Sequence, residues 1–267
     1  MMWLMSLKAL VSDFDGTLVG NDHLLAQDLI AKIRAFIASG QIFSIATGRA
    51  YEGVIQVAAQ DLGLTGLVIV RGGAEIVNVS NNQVVWGKYI KPELVKKVVS
   101  EIEKIPGVFF AVEHGQYIFT TNAQPHAEFG AGAEFRDLAN LPDQAVPKIV
   151  LPPITTSDEI DPILKHLSQL FPGLHMVKTI SKRGFGIDIN DGGAGKHSAL
   201  LEFAKLSNLL PSEIAGVGDG FNDYSLLSAC GLKIAMGNAP DSLKEIADFV
   251  VPAQAENGFF EVLKICS

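Results

Sequence analysis

Asp13 and Asp15 flank Phe14 at the end of an apolar run, and side chains two apart in an extended segment point the same way. Two carboxylates held that close cannot both stay comfortably ionised. Either a cation lies between them or one keeps its proton, and both arrangements serve catalysis. The alternative for Asp13 to Thr17 is a polar Asp-Gly turn on a sheet rim. Thr47, Lys196 and Asp219 are the other residues of interest: Thr47 and Asp219 each close an apolar segment, and Lys196 opens a helical one. Singly, Lys196 reads as a solvated lysine at a helix start and Asp219 as the N-cap of a helix at 222. Together, three carboxylates, a hydroxyl and an ammonium make a hard-oxygen site suited to magnesium, with Asp223 adding acidity nearby.

Whether they meet depends on the elements that carry them. Ala9 to Phe14 suit a strand buried on both faces of a parallel sheet. Leu25, Leu29, Ile33 and Ile37 recur every four residues, and Gly40 ends that helix. A strand over 41–46, a helix over 51–62 and a strand over 67–70 complete β-α-β-α-β, the signature of a parallel α/β sheet. The last third resumes the style, with a strand over 214–217, a helix over 222–229 and strands near 233–236 and 248–251. In such a sheet right-handed crossovers gather the carboxyl ends of the strands on one edge, where ligands bind. Asp13, Asp15, Thr47 and Asp219 converge there, within reach of Lys196.

The middle differs. Strand-like 84–90, helix 93–104 and strands 108–113 and 116–121 lead to a loop holding Gly130, Gly132, Pro142 and Pro147. A similar set follows, with strand 148–151, helix 157–170 and strands near 174–179 and 184–189. This reads as an α+β insertion. Residues 82–184 carry 11 basic and 11 acidic residues, so the whole net charge of −8 belongs to the flanking segments. A neutral block between acidic halves is what a cap on a catalytic core looks like, and two ordinary domains would show the same. Lys178, Lys182 and Arg183 near the last hairpin could contact a sugar or carboxylate, or be solvated surface cations.

At 267 residues, 48% hydrophobic and 19% charged, the chain can bury a sizeable core, which excludes a wholly disordered protein. Its negative field disfavours nucleic acid as a partner. Cys230 and Cys266 read as reduced thiols in a cytoplasmic setting. The apolar start lacks the basic region and cleavage site of a signal peptide, and no window approaches a membrane span. A Walker loop ending at Gly195-Lys196 would need Gly at Asn190 and Ser or Thr at His197, and Gly216-Val217-Gly218 lacks the third glycine of a dinucleotide fingerprint. An EF-hand reading of Asp13 to Thr17 puts Leu18 where Gly is required.

Four motifs in order resemble the haloacid dehalogenase superfamily of phosphohydrolases, and in particular its Cof-type members with a C2-type cap. They are Asp13-Phe14-Asp15-Gly16-Thr17-Leu18, Ser44-Ile45-Ala46-Thr47-Gly48-Arg49, Gly195-Lys196 and Gly218-Asp219-Gly220-Phe221-Asn222-Asp223. Ala235 to Ala239 and Asn257-Gly258 are also similar to family positions. Thr47 and Lys196 are 149 residues apart, so the insertion falls where this subgroup carries its cap. The resemblance implies an α/β fold: a Rossmann-like core of residues 1–81 and 191–267 with an inserted α+β cap over 82–190. It implies a magnesium-dependent phosphatase for a small-molecule phosphate ester, a sugar phosphate first, with flavin and pyridoxal phosphates as further candidates. Asp13 is then the nucleophile and Asp15 the acid and base. Magnesium is held by Asp13, the Asp15 main-chain carbonyl and Asp219, and the phosphoryl oxygens by Thr47, Gly48, Lys196, Asn222 and the Phe14 amide. The rivals are a phosphomutase using the same phosphoenzyme and a non-enzymatic phospho-receiver. Arg71-Gly72-Gly73-Ala74 departs from the family's frequent Asn-Gly-Ala and suggests an extra cation near the mouth that alters the choice of leaving group. Gly192 to Lys196 is richer in glycine than the usual approach to that lysine.

Overall fold

In the computed structural model, which describes residues 7–20, 22–121, 134–181 and 183–267, the first apolar run forms strand β1 (Ala9–Ser12), with all four residues buried. Helix α1 (Gln27–Ala38), β2 (Ile42–Ile45), α2 (Gln56–Leu62), β3 (Leu67–Val70), β4 (Glu75–Asn78) and β5 (Gln83–Gly87) follow. The middle of the chain holds α3 (Pro92–Ile102), β6 (Ala111–His114), β7 (Tyr117–Thr120), β8 (Glu134–Asp137), β9 (Lys148–Thr155), α4 (Ser157–Leu170), β10 (Leu174–Ser181) and β11 (Gly184–Asp191). The last part holds α5 (Lys196–Leu206), β12 (Ile214–Gly218), α6 (Tyr224–Leu227), β13 (Leu232–Met236), α7 (Asp241–Lys244), β14 (Phe249–Val251) and α8 (Phe259–Cys266). The chain divides into two units, Met1–Trp86 with Lys196–Ser267, and Gly87–Gly195. No helix among the described residues is long and apolar enough to cross a membrane.

The first unit is built on a parallel sheet in the order β14-β13-β12-β1-β2. Side chains alternate across a strand, so Leu10 enters one apolar cluster while Ala9 and Val11 enter the other. The Leu10 side packs against α1, α2 and α8 through Ile33, Phe36, Leu62 and Val262. The Val11 side packs against α5, α6 and α7 through Leu200, Phe203, Leu227 and Leu243. Helices on both faces account for the uninterrupted apolar character of β1, since neither face meets water.

Three elements differ from the sequence reading. Residues 51–62 do not make one helix, because Gly53 takes φ +84° and breaks the helical path before α2. β3 pairs antiparallel with β4 and touches β2 in parallel fashion through a single bridge, Ala46 to Ile69. β5 lies beside β4 in a three-stranded sheet and falls with the first unit, rather than in the middle block.

The second unit has a six-stranded sheet in the order β10-β11-β9-β6-β7-β8. One face receives α3 and α4 through Val95, Val98, Ile102, Ile160 and Leu167. Pro92 sits at the start of α3, where its missing N–H is no loss, and the Thr156 amide donates to Glu159 at 2.8 Å to cap α4. Along β9 and β11 the alternate residues Lys148 and Asp188 point to the other face and pair at 2.7 Å, consistent with the rule that buried charges find partners. The sequence reading places Glu134–Asp137 in a loop; here it is β8, paired in parallel with β7. Gly130, Gly132 and Lys182 lie outside the described residues.

Phe203 is fully buried between α5 and the parallel sheet. Truncation leaves a cavity in a rigid three-layer core, so Phe203→Ala is expected to lower unfolding free energy by about 3–5 kcal/mol, measured by urea denaturation followed by circular dichroism.

Candidate active site

The turn after β1 is pinned by its central residue. Phe14 is fully buried in the α1 side of the core, and its carbonyl accepts from Leu18 and Val19 at 2.9 and 3.1 Å. Asp13 and Asp15, on either side of it, are thereby fixed. The Asp13 amide donates to Val217 at 2.9 Å, tying the turn to the end of β12. Asp13 Oδ1 and Asp223 Oδ1 each accept from Lys196 Nζ at 2.6 Å, and that lysine, the first residue of α5, is 1% exposed. Asp223 in turn accepts from the amides of Asp219 and Gly220 through Oδ2, at 3.0 and 2.8 Å. Asp219 accepts from Thr17 Oγ1 at 2.9 Å and from Asn238 Nδ2 at 2.8 Å. Gly16 makes this approach feasible: at φ +79°, a Cβ there would lie 2.2 Å from Asp219 Oδ2.

Carboxylate oxygens of Asp13, Asp219 and Asp223 lie within 4.8 Å of one another. Burial pushes the Asp13 carboxyl well above the usual range, and Asp223 adds to this against the pull of Lys196. Burial and then Asp223 push Asp219 up to about 7. Burial alone would discharge Lys196, but Asp13 and Asp223 hold its proton more firmly than usual. Three carboxylates therefore share one buried ammonium among the described residues. That deficit of positive charge, presented as hard oxygen donors, fits a divalent cation of the magnesium type.

Asp15 faces another way. Its carboxylate takes a two-pronged contact from Arg49, Nε to Oδ2 at 2.5 Å and Nη2 to Oδ1 at 2.7 Å, and Oδ1 lies 3.0 Å from His23 Nδ1. Burial pushes the Asp15 carboxyl up, but the His23 and Arg49 hydrogen bonds together outweigh it, and the net shift is downward. Thr47 is buried beyond β2. Its amide donates to Ile69, its carbonyl accepts from Gly72, and its hydroxyl accepts from the Arg49 amide at 3.1 Å. Gly48 continues that loop, and Asn222 sits in the short turn Phe221–Asp223 after β12.

Asp13, Lys196 and Asp219 thus come together as the sheet argument requires. Asp223, read from sequence as nearby acidity, supplies the third carboxylate of the cluster. Arg49, His23, Thr17 and Asn238 also belong to the site: Thr17 and Arg49 lie inside the motifs and Asn238 in the segment Ala235 to Ala239, whereas no periodicity marks His23. Arg71 is not an open cation at a mouth. It is 2% exposed, with Nε donating to Glu75 at 2.8 Å and Nη2 to Glu52 at 3.1 Å. Lys178 is held by Asp161 at 2.6 Å and lies over the Phe185 ring.

Over residues 10–263 the chain matches the haloacid dehalogenase-like hydrolase family. It is 24% identical over 263 residues to a 5-amino-6-(5-phospho-D-ribitylamino)uracil phosphatase of Bacillus subtilis, covering 97% of this chain and 95% of that one. A phosphoglycolate phosphatase of Methanoculleus marisnigri is 26% identical over 264 residues, covering 97% and 96%. Among solved structures, a haloacid dehalogenase-like hydrolase from Bacteroides thetaiotaomicron aligns with TM-score 0.81 at 22% identity, over 98% of this chain and 100% of that one. A sugar phosphatase of haloacid dehalogenase subclass IIB gives 0.81 at 24%, over 96% and 98%.

The raised carboxyls carry a pH signature. Without metal the folded chain keeps a proton on Asp219 up to about 7, whereas an ordinary carboxyl with a value of 3.8 has released it. The folded state then binds more protons than the unfolded one, and this contribution to stability is lost as pH rises through that interval. A divalent cation replaces the proton, so the rise in Tm on adding magnesium is expected to be larger at pH 8 than at pH 5. Differential scanning calorimetry at both values checks this, and equal rises would reject the cluster as a metal site.

Proposed function

The chain belongs to the haloacid dehalogenase-like hydrolases, and on that footing we propose that it is a magnesium-dependent phosphatase acting on small phosphomonoesters, a sugar phosphate first, through a phosphorylated Asp13. The observation that carries this reading is the contact of Asp13 with buried Lys196 at the carboxyl edge of the sheet, beside Asp219 and Asp223. The names of the phosphatase relatives support it.

In the first half-reaction an Asp13 oxygen attacks phosphorus while the bond to the leaving oxygen breaks, and Asp15 passes its proton to that oxygen. In the second, water attacks the same phosphorus, Asp15 takes the water's proton, and the bond to Asp13 breaks. Lys196, Thr47, Gly48, Asn222 and the Phe14 amide hold the phosphoryl oxygens, because phosphoryl transfer depends on alignment and on neutralising equatorial charge. Asp13, Asp219 and the Asp15 carbonyl would hold magnesium, which would supply further positive charge at those oxygens. The His23 and Arg49 contacts favour ionised Asp15 and so suit the base step; the acid step requires Asp15 to carry a proton despite them. The second unit, Gly87–Gly195, is assigned as the cap that selects among leaving groups.

The test is phosphate release from a panel of metabolite phosphates with magnesium. Asp13→Asn is expected to keep the fold and lower release by about a thousandfold or more; substantial retained rate rejects the nucleophile. Isomerised product in place of free phosphate would indicate a mutase, and stable phosphorylation of Asp13 without turnover a phospho-receiver. Two successive displacements also predict that an ester made chiral at phosphorus with oxygen isotopes transfers its group to water with retention, and inversion would reject the covalent route.

A further inference from the structure

His23 is a non-glycine residue at φ +58°, a conformation that costs free energy for most side chains and marks positions held by their surroundings. The segment carrying it has little packing of its own. Leu24 is 71% exposed, and an open cleft of about 480 Å³ lies along Gly20, Asp22, Leu24, Leu25, Ala26 and Gln254. Among the described residues of this segment the His23 amide donates to Gly20 at 3.1 Å and the Leu24 amide to Asp22 at 3.2 Å. Against this loose background the imidazole makes a directed contact. Nδ1 lies 3.0 Å from Asp15 Oδ1, with Arg49 Nη2 3.1 Å from the same nitrogen.

The two partners of Asp15 are not chemically alike. A guanidinium only donates, so Arg49 matches a carboxylate and has nothing to offer a carboxylic acid's proton. Neutral imidazole carries one donor and one acceptor nitrogen, and a protonated Nδ1 can donate to Oδ1 both when the carboxyl is ionised and when it carries its proton on Oδ2, which leaves that proton for the leaving oxygen. A group that serves in turn as acid and base needs an orienting partner in both forms. We infer that His23 is a positioning residue that holds the Asp15 carboxyl in place through both half-reactions. This rests on the phosphatase reading and adds a residue that none of the sequence motifs contains.

Asparagine tests the idea well, since its amide reaches about where Nδ1 sits, can donate or accept, and tolerates positive φ. Glycine keeps the backbone conformation without the side chain. The experiment compares kcat/KM, which reports the first half-reaction, for the fastest sugar phosphate of the panel and for p-nitrophenyl phosphate, whose leaving group needs little protonation. His23→Ala and His23→Gly are both expected to lower the sugar-to-nitrophenyl ratio about tenfold, in line with the sensitivity of proton transfer to alignment. His23→Asn should bring the ratio back to within about threefold of wild type, the residual cost of an imperfect match in geometry. An unchanged ratio in both Ala and Gly variants of an active enzyme overturns the inference. So does a loss in Ala that Gly repairs, which would place the effect in the backbone. A wild-type chain that hydrolyses neither ester overturns the phosphatase reading, and this inference with it.

Discussion

The buried ammonium of Lys196 is the interaction on which the remaining site depends. Bringing Asp13 and Asp223 to the same buried place is costly without a cation between them, and both contacts to Nζ are 2.6 Å. A charged pair in the interior gains little over an apolar replacement, yet removing one partner strands the other at a cost of several kcal/mol. Such a group is therefore better understood as a device for orientation than as a source of stability. Asp223 extends the effect, because its second oxygen takes the amides of Asp219 and Gly220 and so sets the loop that carries Asp219.

Small residues let these charges approach. Gly16 leaves room for Asp219, and at Gly218 a Cβ would meet Asp223 Cβ at 2.4 Å. Thr17 and Asn238 then take opposite oxygens of Asp219. The backbone thus sits where side chains would ordinarily be, and the carboxylates are crowded by construction. Burial first, and then the neighbouring Asp223, raise the Asp13 and Asp219 carboxyls, which is the electrostatic condition that a divalent cation relieves.

Much of this is legible in the chain itself. The run Ala9 to Phe14, the four-residue period of α1 and the turn residues after each strand imply a parallel sheet, and the convergence of Asp13 and Asp219 follows from crossover handedness. What is not legible has physical reasons. An apolar stretch such as Leu67 to Val70 is compatible with either strand direction, so the antiparallel pairing of β3 with β4 is decided by tertiary contacts. Glu134–Asp137 has charge at three of four positions and looks like a loop until β7 lies beside it. Arg71 reads as a cation on offer because sequence does not reveal that Glu52 and Glu75 surround it. His23 is invisible for a related reason: its contact with Asp15 comes from the fold of a segment that has no repeating pattern.

The separation of Asp13 from Lys196 by 183 residues has a consequence for biosynthesis. At ordinary ribosomal speeds the lysine is added about 10 to 40 seconds after the aspartate. Throughout that interval the nascent N-terminal portion lacks its counterion, and it also lacks β12, the strand that hydrogen-bonds to one edge of β1. The first half of the core must wait, exposed or chaperoned, for the C-terminal third to emerge.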